Sequence, residues 1–176
     1  YLFELADGNV VESVWMKYHH GNSVCISSQV GCKMGCRFCA STLDGWERNL
    51  LPSEMLEQIY AITRITGERV SNVVVMGTGE PMDNYEHVMK SLRVMTSTWG
   101  CGWSPKRITV SSVGITPKLK HYIEECECHL AISLHNPFSI ERKEIMPIEK
   151  MYNLPQLITM LKQYDWQHQR RLTFEY

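Results

Sequence analysis

The 176-residue chain is expected to be an α/β protein, with parallel strands joined by crossover helices and a hairpin in front. Three observations lead there. Short β-rich runs alternate with segments of helical periodicity, the order that lays successive strands side by side in one parallel sheet. The strand candidates are apolar nearly throughout, as expected when helices cover a sheet. Their C-terminal ends are followed by glycine-rich or polar sequences, and in barrels and open α/β sheets that edge binds ligands.

The hairpin is YLFELADGNVVESVWMKY, two alternating runs around the turn signal Asp7-Gly8-Asn9. It reads as an extension over residues 1–22, with the core over 23–176 and His19-His20 at a solvated hairpin end. SVCISSQV is the first core strand, and a cysteine-rich loop follows it. LPSEMLEQIYAITRITG is a helix: Pro52 suits its first position, Met55, Leu56, Ile59, Ile62 and Ile65 form one face, and Gly67 ends it. SNVVVMG is a buried strand. NYEHVMKSLRVMTSTWG is helical, with Val88, Leu92, Met95 and Trp99 on one stripe. Strand RITVSSVG, helix TPKLKHYIEE capped by Thr116 with Pro117 inside it, strand HLAISLH, helix NLPQLITMLKQY and strand RLTFEY complete the order. A last strand stopping at Tyr176 leaves an apolar edge, which reads as truncation.

A hydrophobic share of 44% and a charged share of 21% fit one ordinary globular domain. No apolar run is long enough for a spanning helix, and YLFELADGNVVESVW lacks the features of a secretory signal. With no Met at position 1, the chain reads as a piece of something longer. A formal charge of -1 gives no electrostatic case for nucleic acid. Seven cysteines, an odd number, do not make a secreted disulfide framework. Clustered in a reducing compartment, such cysteines bind metal or do chemistry, which places the protein in the cytoplasm.

SSQVGCKMGCRFCAST spaces Cys32, Cys36 and Cys39 as Cys-x3-Cys-x2-Cys. Gly31 and Gly35 free the backbone to wrap closely, and three thiolates suit iron–sulfur or zinc. No fourth ligand lies nearby, so one metal position stays open, as in catalytic sites. The zinc alternative pairs Cys36 and Cys39 with Cys126 and Cys128, although one intervening residue is short for a zinc half-site. Cys126 and Cys128 also sit where a helix hands over to a buried strand, a natural place for small hydrophobes. Gly77-Thr78-Gly79-Glu80 is not a dinucleotide fingerprint, because Met82 stands where glycine is needed. Its glycines let backbone approach a ligand, and Glu80 can accept from a cation. Ser111 and the run Ser133-Leu134-His135 sit at strand ends on the same rim. By residue type alone, His135 is an ordinary hydrogen-bonded histidine, Cys25 a buried small hydrophobe and Glu12 an exposed carboxylate. Cys101 fits no assignment.

The three-cysteine spacing after the first strand, with Phe38 before the last cysteine, resembles the radical S-adenosylmethionine (SAM) superfamily. CISSQVGCKMGCRFCAST, RNL, VVVMGTGEPMDNY, ITVSSVGITP, LAISLHNP and IMPI, in that order, resemble its methyltransferases acting on carbon 2 of adenine in 23S ribosomal RNA. Some members also modify transfer RNA, and a sister branch methylates carbon 8. The resemblance implies a partial (β/α)6 barrel, truncated after about the fifth parallel strand. It implies a [4Fe-4S] cluster on Cys32, Cys36 and Cys39, its open iron chelated by SAM. Gly79, Glu80, Ser111, Ser133, Leu134 and His135 match SAM-contacting positions. In the family, one SAM methylates a cysteine near the C-terminus and a second yields the radical that takes hydrogen from that methyl group. Cys25 matches the cysteine that then helps remove a proton and releases product by forming a disulfide, and Glu12 matches a proton acceptor. Ribosomal RNA, transfer RNA and an electron donor such as flavodoxin are the implied partners. The methyl-carrying cysteine, a further SAM contact and an N-terminal RNA-binding domain are expected outside this chain. The alternatives are a radical-SAM enzyme of another class, a carbon-8 methyltransferase or an activase, and a zinc-stabilised binding module.

Overall fold

A computed structural model describes residues 1–19, 21–167 and 170–176; of the His19-His20 pair, His20 lies outside the described residues. Strands β1 (Leu2–Glu4) and β2 (Val10–Glu12) form the antiparallel hairpin, turned at Asp7-Gly8-Asn9 as expected. Gly8 takes φ 84°, and the Asn9 backbone N–H donates to the Asp7 carboxylate at 3.1 Å. The hairpin is shorter than its sequence pattern. At Ser13 the chain turns inward, where the buried hydroxyl donates to Gln58 at 2.6 Å. Strand β3 (Val14–Met16) then pairs antiparallel with β4 (Asn22–Ile26) in the main sheet.

SVCISSQV is two strands rather than one. After β4, Ser27 and Ser28 turn the chain into β5 (Gln29–Gly31), which pairs antiparallel with β6 (Trp46–Asn49). The cysteine loop is held between these two. Gly31, at φ 70°, is required there: a Cβ would lie 1.9 Å from the Gly45 carbonyl oxygen, which accepts from the Cys32 N–H at 2.9 Å.

Helix α1 (Pro52–Thr66) begins at Pro52 and ends at Gly67, whose φ of 67° makes the left-handed cap. Met55, Ile59 and Ile62 are buried, and with them Gln58, which serves Ser13 and the Ser27 N–H; Ile65, in the last turn, is exposed. The later elements are β7 (Val70–Val75), α2 (Tyr85–Thr96), β8 (Ile108–Ser112), α3 (Thr116–Glu125), β9 (His129–Ser133), α4 (Ser139–Ile145), α5 (Leu154–Leu161) and β10 (Leu172–Glu175). Helix α2 stops at Thr96, which leaves Trp99 off the stripe and exposed. Thr116 is the first helical residue rather than the cap, its hydroxyl donating back to the Gly114 carbonyl at 3.3 Å. Helix α4 had no counterpart among the expected elements.

The main sheet runs β10-β9-β8-β7-β4-β3, and its five strands from β4 to β10 are parallel. This is the expected partial barrel, with one difference in how its faces are used. Val24, Ile26, Val73, Val75, Ile108, Val110, Leu130 and Ile132 pack into one core with Met55, Ile59, Val88, Leu92, Leu119 and Leu157 of the helices. Register and period-two alternation put Cys25, Thr109, Ser111, Ala131, Ser133, Thr173 and Glu175 on the other face. Helices thus cover one face, and the opposite face is small and polar. Each buried branched side chain contributes about 1.5–3 kcal/mol. A one-residue slip would turn that whole set outward, so register is strongly fixed. Among the described residues no helix is long and apolar enough to cross a membrane.

Candidate active site

One cleft opens at the C-terminal ends of the parallel strands. Cys32, Cys36, Cys39, Gly79, Glu80, Ser111, Ser133 and His135 line it, eight of the eleven residues expected from the sequence.

The cysteines arrive from the loop between β5 and β6. Cys32 and Cys36 are buried and Cys39 is half-buried. The Cys39 N–H donates to the Cys36 carbonyl at 3.1 Å, and the Thr42 hydroxyl donates to the Cys39 carbonyl at 3.0 Å. The Arg37 N–H donates to the Ile145 carbonyl at 2.9 Å, tying the loop to the end of α4. Burial pushes the Cys32 and Cys36 thiols up to about 11. Metal binding therefore has to displace their protons. Among the described residues, no three His, Cys, Asp or Glu side chains form a site for a single ion. Three thiols spread around one cleft fit an iron–sulfur cluster, in which each bonds a different iron. The zinc pairing fails on topology: Cys126 and Cys128 precede β9, at the strand end opposite Ser133.

Glu80 is 2% exposed, yet a carboxylate. One of its oxygens accepts from the Met82 N–H at 3.0 Å and the other from the Val113 N–H at 2.9 Å. Burial pushes its carboxyl up to about 7 against the pull of those bonds. The Ser112 side chain is a further hydrogen-bond partner. Gly79, at φ 106°, is packed so that a Cβ would meet Gln29 at 2.6 Å.

Ser111 and Ser133, on adjacent strands, both donate to one oxygen of Glu175, at 3.0 and 2.9 Å. Glu175 lines the cleft and was missed in the sequence. The available signal was parity: it pairs with Ser133, so it shares that residue's face. His135 has φ 52°, among the described residues a conformation otherwise taken only by glycines. Its ring meets Phe38 edge-on, centroids 4.6 Å apart, and burial lowers its pKa. A non-glycine residue in that region costs roughly 1–2 kcal/mol, so its surroundings must hold it. Arg142 of α4 does so, and it too was missed. Wholly buried, it donates to the carbonyls of Val113 (2.9 Å), Ser133 (3.0 Å) and Leu134 (3.1 Å) and pairs with Glu149.

Cys25, Glu12 and Leu134 do not line the cleft. Leu134 turns its side chain toward the core, and its N–H donates to the Glu175 carbonyl at 3.0 Å. Cys25 is half-buried on β4, on the sheet face that carries Ser111 and Ser133. Burial raises its pKa, opposed by the Met76 N–H, and nearby Glu12 and Glu175 add to the rise. Glu12 is exposed at the end of β2. Cys101 lies apart, 3.5 Å from the Tyr60 hydroxyl.

A parallel half-barrel with three cysteines and a buried glutamate at its C-terminal rim defines a class, and the comparisons agree. Residues 26–165 match the Radical SAM superfamily, so the chain belongs to that superfamily, whose members use SAM and an iron–sulfur cluster. Over its whole length the chain is 58% identical to a protein of Lachnospira eligens named probable dual-specificity RNA methyltransferase RlmN, covering 51% of that protein. It is 56% identical to the protein of that name from Lachnoclostridium phytofermentans, covering 50%, and 47% identical to that of Bacteroides fragilis, covering 51%. The crystal structure of a radical SAM methyltransferase from Sphaerobacter thermophilus superposes with a TM-score of 0.92 at 38% identity, over 99% of this chain and 52% of that one. The chain spans about half the length of the curated relatives it matches.

Proposed function

We propose that this chain is the radical-generating part of a methyltransferase acting on carbon 2 of adenine in 23S ribosomal RNA, and on transfer RNA. One observation carries the reading. Three thiols, a buried glutamate and two strand-end serines converge on a single cleft, in a chain up to 58% identical to relatives named RNA methyltransferases. Cys32, Cys36 and Cys39 would hold a [4Fe-4S] cluster, which with SAM, and an electron from a donor such as flavodoxin in the cytoplasm, would supply a 5′-deoxyadenosyl radical.

The remaining chemistry falls to the chain. Glu80 accepts hydrogen bonds from the ammonium of SAM, and a bound cation lowers its raised pKa. Ser111, Ser133 and Glu175 offer hydrogen bonds to the polar part of the ligand on the inner face. His135 and Phe38 close the mouth and keep water out. Cys25 works on the substrate side: its thiolate takes a proton, which Glu12 relays away. It then attacks the sulfur of a methyl-carrying cysteine elsewhere in the protein: the S–S bond forms as the bond from that sulfur to the product's methyl carbon breaks, the carbon keeps the electron pair and takes a proton, and the product leaves.

The test uses the complete protein, purified without oxygen. Iron and sulfide should both be present, and Cys32→Ala, Cys36→Ala or Cys39→Ala should abolish them. Cys25→Ala should keep the cluster and SAM cleavage yet yield no methylated adenine. Zinc without sulfide would sink the reading. Mapping the methyl group to carbon 8 would move the protein to the sister branch.

A further inference from the structure

Cys126-Glu127-Cys128 joins α3 to β9 at the rim remote from the cleft. The two thiols are hydrogen-bonded to each other, and the Cys128 N–H donates to the Cys126 sulfur. Cys128 is 1% exposed and Cys126 9%, and both line a surface recess together with Arg93, Thr96 and Pro105. Arg170 stands close by and is itself 9% exposed. Its Nη2 donates to the Ile123 carbonyl at 2.6 Å, but its Nη1 is buried with no partner among the described residues. An unmet buried donor is costly, the more so when it is charged. Cysteines serving only as small hydrophobes would explain neither the thiol–thiol contact nor the spare guanidinium donor beside it.

We propose that Cys126 and Cys128 form a dithiol oxidised reversibly by peroxide, with Cys126 attacked first and Cys128 resolving it. The Cys126 thiolate attacks one peroxide oxygen, the O–O bond breaks, and the products are a sulfenic acid and, after protonation, water. The Cys128 sulfur then displaces that oxygen, the S–O bond breaks, a second water leaves and the S–S bond forms. Two thiols are oxidised by two electrons, and one peroxide is reduced to two waters.

The order of attack is set by the surroundings. The hydrogen bond from Cys128 pulls the Cys126 thiol down to about 7 against burial, helped by the Cys128 N–H and the Arg170 charge. The Cys128 thiol is pushed up and holds its proton. With so little of either residue exposed, peroxide reaches the pair more readily than a bulky disulfide. A disulfide across a single intervening residue closes a very small ring, and strain of that kind makes the bond easy to reduce, as a reversible site in a reducing compartment requires.

The complete protein is to be treated with hydrogen peroxide, quenched, alkylated and digested with trypsin. Residues 121–142 form one tryptic peptide containing only Cys126 and Cys128, and the cluster cysteines fall in other peptides. That peptide should become two hydrogens lighter and resist alkylation until dithiothreitol is added. At pH 7 a thiolate fraction raised about sixteenfold, set against about fivefold lower nucleophilicity, gives oxidation roughly threefold faster than free cysteine. Cys128→Ser should stop the reaction at a Cys126 sulfenic acid captured by dimedone, and Cys126→Ser should remove the fast phase. The proposal is overturned if the peptide stays fully alkylatable while Cys101 is oxidised, or if Cys126→Ser reacts as fast as the natural protein.

Discussion

The two rims of the parallel sheet are made by the same strands and differ in where they accept physical cost. At the C-terminal rim a carboxylate is fully buried (Glu80), a non-glycine residue takes φ 52° (His135), and a guanidinium is removed from water to fasten three strand-end carbonyls (Arg142). At the N-terminal rim, charged groups such as Arg93 and Glu125 stay in solvent. Strain and buried charge persist where something other than stability selects them. Their concentration at one rim supports the reading of that rim as the active site, and the buried guanidinium of Arg170 is a further such feature at the other.

The largest difference between the rims is expected from their ion pairs. Arg142→Met leaves Glu149, 5% exposed, without its partner, and should lower unfolding stability by about 3–5 kcal/mol in urea titration. Arg93→Met removes a pair at 3.7 Å whose side chains are 69% and 45% exposed, and should cost under about 1 kcal/mol. Combining Arg142→Met with Glu149→Leu should recover much of the first loss, because no buried charge is then left alone. Equal costs for the two arginines would break the comparison.

A smaller effect is expected from Glu80, and it depends on pH. Its carboxyl rises from an ordinary 4.5 to about 7 on folding, so the folded state holds the proton more tightly than the unfolded one. Protonation therefore favours folding: the contribution is complete below 4.5 and is lost as pH rises through about 7. A difference of this size corresponds to about 3 kcal/mol. Glu80→Gln should gain that much on the ligand-free natural protein as pH rises across the window, measured as the difference between their two unfolding curves. Parallel curves would show that Glu80 titrates normally and that its burial carries no cost.

Much of the cleft was legible because short apolar runs and helical periodicity fix parallel strands, and the fold then delivers the loop after each strand to one rim. Cys32, Glu80, Ser111 and Ser133 could be placed that way from residue order alone. The parts that were not legible depend on pairings distant in sequence. Ser13 leaves the hairpin because of Gln58, 45 residues away. The β5–β6 ribbon joins short, polar segments across the cysteine loop, and neither has a strand pattern of its own. Arg142 looks like one charge among several in ERKEIMPIEK, and only the carbonyls it meets reveal that it is buried. Glu175 was obscured because RLTFEY reads as the edge of a sheet, where a charge is ordinary.

Glu175 gives the finest comparison of the rims. Both strand-end serines donate to the same carboxylate oxygen of this cleft-lining residue, and the other has no hydrogen-bond partner among the described residues. Hydrogen bonds to charged groups contribute about 1.5–3 kcal/mol, against 0.5–1.5 for neutral ones. Glu175→Gln keeps an acceptor for the serines and removes the charge, so SAM affinity should fall roughly tenfold, or about 1.4 kcal/mol. Equilibrium dialysis against the anaerobic, cluster-loaded complete protein measures this, with iron content as the control that the cysteine loop is intact. Cys126→Ser, at the opposite rim, should leave both quantities unchanged. Unchanged affinity in Glu175→Gln would mean that the carboxylate merely joins β8, β9 and β10, and the polar inner face would then be scaffold at its last strand.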